Sequence, residues 1–400
     1  MTVNLEPLAG LSVKRGLVGG PFGSSLVSND YVPEGVPVIR GTNLGFGKYV
    51  DGEFAFVSEE KVEHDLSRNT ATAGDVVYTQ RGTLGQVSLV PKNSFQRYVI
   101  SQSQMRLRVD PRVALADYVY YACSSRFFQK QIADNAIATG VPHINLGILA
   151  RLTIPLPALP EQLAIAQVLG ALDDKIAANT KLAATTDEFL ATQLASSLRE
   201  DHDIVQLTSI ASVNASTAKP AIGGQIRYID IASVGVGVHE LPSLIRWEDA
   251  PSRARRKVSQ GDTFWSTVRP NRRSHSLNLA DDPSLVGSTG LAVLSPKKVG
   301  FAYLYEVTKR PEFTTYLETV AEGSAYPAVR ANRFEEALVP LLREAARDAF
   351  ESVAAPLRQH VYNLGEENRT LAAARDALLP RLMSGEVRIK DVEKLLEGGF

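Results

Sequence analysis

The sequence has little cysteine and no long apolar segment. A single cysteine, Cys123, among 400 residues excludes internal disulfide bonds and is typical of a reducing compartment, so we expect a cytoplasmic protein. Its neighbours Tyr121 and Phe127 favour packing over reactivity. No stretch approaches the roughly 20 consecutive apolar residues of a membrane helix. Residues 1–8 lack the basic start and apolar core of a secretory signal.

Motifs of catalysis are also scarce. The glycines at 16, 19, 20 and 23 do not form a dinucleotide fingerprint, and no Gly-Lys-Ser/Thr phosphate loop is present. The six histidines, at 64, 143, 202, 239, 275 and 360, have no spacing typical of zinc ligands. Asp51 with Glu59-Glu60-Lys61 is only a weak match to a nuclease metal triad. We therefore expect neither a catalytic centre nor a bound metal.

The charge is nearly balanced, with 43 Lys and Arg against 44 Asp and Glu and a net charge of −1. A protein that binds nucleic acid alone is usually basic, because phosphate neutralisation supplies much of the affinity. Contact with DNA would therefore require a local patch or partner subunits. Residues 246–273 form such a patch, with eight basic side chains against three acidic ones: Arg246, Arg253, Arg255, Arg256, Lys257, Arg269, Arg272 and Arg273.

The most informative positive feature is an internal duplication. Residues 118–157 and 303–342 align without a gap at an offset of 185 residues (303 minus 118), and Gly74-Asp75 matches Gly261-Asp262 at an offset of 187 (261 minus 74). Two long copies predict two similar domains in tandem and not a solenoid. The matched residues are Tyr118 with Tyr303, Tyr120 with Tyr305, Phe128 with Phe313, Pro142 with Pro327, and Pro155-Leu156 with Pro340-Leu341.

Local patterns predict mixed structure within each copy. Residues 76–79 and 87–90, separated by a glycine-containing turn, indicate a β-hairpin, and the alternation over 104–109 indicates a half-buried strand. Residues 114–134 have near-helical apolar spacing. Prolines at 155, 157 and 160 then mark a rigid exit.

A long helix is predicted after each copy. Residues 161–197 contain one interior glycine and no proline, and both helical segments repeat apolar residues with coiled-coil spacing. Antiparallel packing would bury both seams, and Pro356 should kink the second helix or delay its start. The predicted seam residues are Ile165, Leu169, Leu172, Ile176, Leu190, Phe350, Leu357, Leu364, Leu371 and Leu378.

At this point the chain resembles a known family. Ile154-Pro155-Leu156-Pro157, Pro160-Glu161-Gln162 and residues 172–176 are similar to the first spacer region of the specificity subunit of type I restriction–modification enzymes. Residues 140–145 resemble the motif that closes a target-recognition domain there, residues 21–24 with Gly74-Asp75 its opening, and residues 378–389 the family's usual ending. The second copy departs from this pattern: residues 325–330 match the closing motif loosely, and no Pro-Glu-Gln follows Pro340.

The resemblance implies an α+β fold with two tandem mixed α/β target-recognition domains, each followed by a long helix. The two helices would form an antiparallel coiled coil with pseudo-two-fold symmetry. The expected segments are 1–158 (first recognition domain), 159–200 (central spacer helix), 201–341 (second recognition domain) and 342–400 (C-terminal spacer helix and tail).

It also implies a non-catalytic subunit that reads a bipartite, asymmetric site in double-stranded DNA, one half per domain. Two copies of a modification (methyltransferase) subunit and the restriction/translocase subunits would be its partners, and S-adenosylmethionine, ATP and Mg²⁺ would belong to them. The residues that would contact the modification subunit are Pro160, Glu161, Gln162, Leu382 and Met383.

Candidates for DNA contact follow from side-chain chemistry, because Arg pairs with guanine and Asn or Gln with adenine in the major groove. The loop 269–273 is the strongest group, whereas residues 253–257 could equally be a solvated charged run. The candidates of the first copy are Gln80, Arg81, Thr83, Gln86, Gln102 and Gln104. Those of the second are Arg253, Arg255, Arg256, Lys257, Trp265, Arg269, Asn271, Arg272, Arg273 and His275.

Three other functions remain open on sequence grounds. The chain could be the recognition subunit of a type IIB-like enzyme whose partner fuses methyltransferase and nuclease, a two-headed coiled-coil DNA-binding adaptor or regulator, or a stand-alone DNA-modifying protein. A continuous footprint would favour the adaptor, and activity of the purified chain would favour the last.

Overall fold

The computed structural model describes residues 4–387 except Phe46, Asn93, Thr139 and 220–222. The chain divides into two compact units. Unit 1 includes the residues up to Ala178 and those from Glu367 onward, and unit 2 runs from Asn179 to Glu366. The predicted C-terminal tail, with residues 388–389 of the family-ending motif, lies outside the described residues.

Unit 1 is a mixed α/β structure. Its strands are β1 (Leu5–Pro7), β2 (Ser12–Gly19), β3 (Tyr31–Val32), β4 (Val36–Ile39), β5 (Ala55–Val57), β6 (Thr70–Ala71), β7 (Val76–Thr79), β8 (Val87–Leu89), β9 (Tyr98–Ile100), β10 (Gln104–Val109) and β11 (Thr153–Pro155). Its helices are α1 (Glu59–Lys61), α2 (Ala116–Ser124), α3 (Arg126–Asn135), α4 (Leu146–Arg151) and the first part of α5 (Leu159–Ser197). The sheets have the orders β2-β10-β7-β8, β3-β5-β4-β9-β6 and β1-β11.

Unit 2 repeats this plan. Its strands are β12 (His202–Gln206), β13 (Ala211–Val213), β14 (Gln225–Ile229), β15 (Leu244–Arg246), β16 (Ala254–Lys257), β17 (Thr263–Ser266), β18 (His275–Leu277), β19 (Leu285–Ser288), β20 (Leu291–Pro296) and β21 (Leu338–Leu342). Its helices are α6 (Phe301–Thr308), α7 (Pro311–Thr319), α8 (Ala331–Glu336) and the first part of α9 (Glu344–Met383). The sheets have the orders β13-β20-β17-β18, β15-β14-β19-β16 and β12-β21.

The two units share individual contacts as well as strand order. Tyr118 Oη donates a hydrogen bond to the carbonyl of Pro155 at 2.7 Å, and Tyr303 Oη donates to that of Pro340 at 3.0 Å. Both tyrosines are fully buried. A buried hydroxyl is costly without a partner, so this bond fixes α2 against β11 and α6 against β21 in the same way. The α+β fold class predicted from the sequence is confirmed.

Each unit contains antiparallel segments of the two long helices. In unit 1, Ile165 and Leu169 of α5 share a core with Leu379 of α9. In unit 2, Leu190 of α5 shares a core with Phe350 of α9. Of the other predicted seam residues, Leu364 is buried, whereas Leu172, Ile176, Leu357, Leu371 and Leu378 are partly buried.

Three local predictions need correction. Pro356 does not delay the second helix, because α9 begins at Glu344 and runs through it. The segment 114–134 is two helices and not one, since α2 ends before Ser125, whose hydroxyl caps α3. Strand β10 is not half-buried, because Arg106 is only 5% exposed. The predicted hairpin of β7 and β8 is confirmed.

Within the part of the chain that the structure describes, no helix has the length and apolar character needed to cross a bilayer.

Candidate nucleic-acid interface

In unit 1, the turn between β7 and β8 lies beside a short closing hairpin, residues 137–143. The Gln80 amide donates to the carbonyl of Ser103 at 2.7 Å, and the Ile144 amide donates to the carbonyl of Gln80 at 3.0 Å. Ile137 and His143 exchange backbone hydrogen bonds of 2.8 and 3.2 Å across the hairpin. We call the residues 80–86, 137–138 and 140–144 tip 1. Arg81 and Thr83 of this tip are exposed.

Unit 2 builds the equivalent surface from residues 267–274 and the closing hairpin 322–328, which we call tip 2. The Arg269 amide donates to the carbonyl of Pro327 at 2.7 Å, and Glu322 and Ala328 exchange two backbone hydrogen bonds of 2.9 Å. These bonds hold the basic turn and the hairpin together. The sequence analysis missed this hairpin as a candidate surface.

In both tips, an exposed apolar residue precedes the proline of the closing hairpin. Val141 is 57% exposed and Tyr326 is 69% exposed, and they are related by the repeat offset of 185 residues. An apolar residue in a loop, preceding a proline in both copies, is the sequence signal that could have identified this surface.

The structure places the predicted DNA-binding residues at different depths. Those that are exposed are Arg81, Thr83, Gln102, Arg253, Lys257, Asn271, Arg272 and Arg273. Those that are partly buried are Gln80, Gln86, Arg255, Arg256 and Arg269. Residues 80–83 lie on tip 1 and residues 269–273 on tip 2. Residues 253–257 lie instead at the start of and along β16, in a different sheet of unit 2.

Several of these side chains are used within the fold. Gln86 donates to the carbonyl of Leu44 at 3.1 Å and accepts from the Thr79 hydroxyl at 3.1 Å. Gln102 donates to the carbonyl of Leu26, and Arg255 donates to that of Ala254 at 2.7 Å. Burial lowers the pKa of Arg256. A side chain held in this way has fewer donors left for DNA.

Gln104, Trp265 and His275 require a correction, because all three are buried and cannot reach a duplex from the folded chain. Gln104 and Trp265 are fully buried, and His275 is 3% exposed. The Trp265 and His275 rings stack at 4.7 Å, and the His275 Nδ1 lies 2.7 Å from the carbonyl of Arg273. Burial lowers the pKa of His275 to about 4, so the ring is neutral at pH 7. All three side chains pack inside the fold.

The residues predicted to contact a modification subunit also include both exposed and buried side chains. Pro160 and Glu161 are exposed in the first turn of α5. Gln162 is 1% exposed. Its side-chain oxygen accepts a hydrogen bond from the Leu115 N–H at 2.9 Å, and its side-chain nitrogen donates to the carbonyl of Pro157 at 2.9 Å. Leu382 and Met383 are buried in the core of unit 1. The predictions for Gln162, Leu382 and Met383 are corrected: these residues join the long helices to the globular part.

The described residues contain no cluster of three or more His, Cys, Asp or Glu side chains able to hold a metal ion. A cleft of about 390 Å³ in unit 1 is lined partly by Asp173 and Arg375, but their charges are paired with each other at 2.7 Å. Burial raises the pKa of the Cys123 thiol to about 12, which agrees with a packing role.

Comparison with known proteins identifies the class of protein to which this architecture corresponds. Residues 24–185 match the family described as "Type I restriction modification DNA specificity domain". The resemblance predicted from the sequence is confirmed.

Particular relatives extend the likeness to most of the chain. The specificity subunit of the type I restriction enzyme MjaIX of Methanocaldococcus jannaschii is 20% identical over 360 residues, which cover 83% of this chain and 82% of the relative. The MjaVIII specificity subunit of the same organism is 24% identical over 151 residues, and the match covers 37% of this chain and only 35% of that relative. Both are named specificity subunits, in agreement with the prediction of a non-catalytic chain.

A solved structure shares the fold. The crystal structure of the type I restriction–modification S subunit from M. genitalium matches with a TM-score of 0.60 and 18% identity, over 96% of each chain. At this identity the likeness concerns the fold alone.

Proposed function

We propose that this chain is the DNA-specificity subunit of a type I restriction–modification complex. Each unit reads one half of a bipartite, asymmetric site through its tip, and the chain carries no catalytic centre of its own. The modification subunits supply methylation with S-adenosylmethionine, and the restriction subunits supply the ATP- and Mg²⁺-dependent steps.

The main observation in support of this proposal is that the two units share a framework but expose different side chains at their tips. The central sheets, the Tyr118 and Tyr303 hydrogen bonds and the closing hairpins recur in both units. The exposed side chains do not recur: tip 1 presents Arg81 and Thr83, whereas tip 2 presents the run Asn271 to Arg273. Repeated support with different surface residues is expected of two readers of different sequences.

The modest basic character of the tips also supports partner subunits. A duplex requires neutralisation of several phosphates for tight binding, and the chain's net charge is −1. Partners that close around the DNA would supply the remaining cations. The exposed start of α5, with Pro160 and Glu161, is the surface that we assign to the modification subunit, because the buried members of the predicted set are inaccessible.

Genome-wide mapping of methylated adenine tests this proposal. Deleting the gene should abolish methylation at one split motif and leave other motifs unchanged, and restoring it should recover that motif. If the methylation map is identical with and without the gene, or if the lost motif is continuous, the proposed function is wrong.

A further inference from the structure

Arg269 of tip 2 has an unfavourable backbone conformation. Its φ is 53° and it directly precedes Pro270. The left-handed region costs a residue with a Cβ roughly 1–2 kcal/mol. Such strain persists only where the surrounding structure imposes it, and it is more frequent at functional sites.

The equivalent position in unit 1 is occupied by glycine. Arg81 bridges His143 in unit 1 as Val268 bridges Ala328 in unit 2, so the next residues, Gly82 and Arg269, correspond. Gly82 also has a positive φ, of 101°. The repeat therefore requires a left-handed residue at this point, and unit 2 places an arginine where glycine would be unstrained.

The Arg269 side chain lies against an aromatic ring. Its guanidinium lies 4.6 Å from the centroid of the Tyr326 ring, and Tyr326 is 69% exposed on the closing hairpin. Stacking of this kind fixes the guanidinium plane and leaves its edge N–H groups free. Among the described residues, no carboxylate forms a salt bridge with Arg269, unlike Arg246, which pairs with Asp249 at 2.9 Å.

We propose that Arg269, positioned by Tyr326, reads the O6 and N7 edge of one guanine in the half-site bound by unit 2. This inference rests on the proposed function and deepens it. A planar, pre-oriented guanidinium matches the two adjacent acceptors of guanine in the major groove. Unit 1 has Gly82 and Val141 at the corresponding positions and so lacks this contact.

The test is Arg269→Gly in the full chain assembled with its modification subunits. Binding or methylation is measured on DNA libraries in which every position of the site is varied. The wild-type complex should require guanine at one position of the unit 2 half, by about 5- to 150-fold over other bases. The variant should lose this preference and keep all others. Its melting temperature should stay the same or rise, because glycine relieves the strain.

Matched variants distinguish recognition of the base from a purely structural role of these residues. Tyr326→Ala should weaken the guanine preference and Tyr326→Phe should retain it, since the ring face orients the guanidinium. Arg15→Gly is the control: Arg15 also has a left-handed φ, of 60°, but lies on β2 and belongs to neither tip. It should leave base preference unchanged.

Three results would overturn the inference. They are a wild-type half-site without a required guanine, a retained preference in Arg269→Gly, and an equal loss of affinity for all four bases, which would indicate a phosphate contact. A wild-type complex that selects no split site at all would instead refute the proposed function itself.

Discussion

Tyr121 of unit 1 and Glu306 of unit 2 occupy equivalent positions of the repeat, yet they contact the long helices with opposite chemistry. Tyr121 Oη donates to Asp173 of α5 at 2.7 Å, and Asp173 also pairs with Arg375 of α9. Glu306 accepts from Arg358 of α9 at 2.6 Å, and Arg358 also pairs with Asp187 of α5 at 2.7 Å.

The difference depends on which of the two long helices the globular part of each unit contacts. In both units the acidic partner lies on α5 and the arginine on α9. The globular part of unit 1 contacts the acidic residue, so it supplies a donor, whereas unit 2 contacts the arginine and supplies an acceptor. The two copies of the repeat are therefore not interchangeable at their helix contacts, although their sheets are alike.

The largest predicted effect is the removal of Arg358. Glu306 is fully buried, and Arg358→Met would leave its carboxylate with only Lys309, at 3.0 Å. Breaking a buried ion pair costs about 3–5 kcal/mol. Tyr121→Phe, at the equivalent contact, should cost only about 1.5–3 kcal/mol, because Asp173 keeps Arg375. Urea unfolding of both variants measures the difference.

Adding Glu306→Gln to Arg358→Met is the control for this comparison. Neutralising the abandoned carboxylate should recover part of the lost free energy of unfolding. Equal costs for Arg358→Met and Tyr121→Phe would show that the two helix contacts are energetically the same, contrary to this prediction.

Between pH 7 and 5, stability should depend on pH through a buried histidine of unit 2. The pKa of His275 is about 4 in the folded chain and about 6.5 in an unfolded one, so between these values the unfolded state binds a proton that the folded state does not. Stability should fall as pH falls through this window, by about 2 kcal/mol at pH 5. The equivalent position in unit 1, by strand register, is Val87, which does not titrate.

Hydrogen exchange of β17 and β7 amides between pH 7 and 5 measures this difference, with His275→Gln as control. The pKa values of Asp262 and Glu351 are raised by burial, which stabilises the fold at low pH and opposes the effect. The comparison with His275→Gln isolates the histidine. An unchanged pH dependence in that variant would contradict the prediction.

The smallest predicted contrast concerns the duplicated turn glycines. Gly74 and Gly261 have φ values of 85° and 88°, so an alanine at either position should cost about 1 kcal/mol. A Cβ at Gly74 meets nothing within 4 Å, whereas one at Gly261 lies 3.3 Å from Phe301 Cβ. Gly261→Ala should therefore be more destabilising by a few tenths of a kcal/mol. Chemical denaturation checks the order, and a reversed order would show that the two turns are not equivalent.

Much of the framework could be predicted from the sequence, because it depends on local rules. The β7–β8 hairpin followed from its β-branched and aromatic segments around a glycine-containing turn, and the long helices followed from heptad spacing, without proline over residues 161–197. The duplication extended these predictions to the second half. At Pro356 the expected delay of the second helix does not occur, because α9 begins at Glu344 and continues through the proline.

The candidate site was harder to predict, because burial of polar residues is decided by tertiary contacts. From the sequence, Gln162 was predicted to contact a partner subunit. In the structure its side chain extends from α5 and bonds the backbone of Leu115, just before α2, and of Pro157. Arg106 is only 5% exposed, and the Asp75 carboxylate, just before β7, lies 3.9 Å from its guanidinium. Tyr326 was missed because its partner Arg269 is 57 residues away in the sequence (326 minus 269).

The measurement that tests the central claim most directly is an exchange of residues 201–341 for the same region of a relative with a known, different site. Methylation mapping of the hybrid should show one half of the split motif replaced, with the other half and the gap between them unchanged. Replacement of both halves, or of neither, would contradict the assignment of one half-site to each unit.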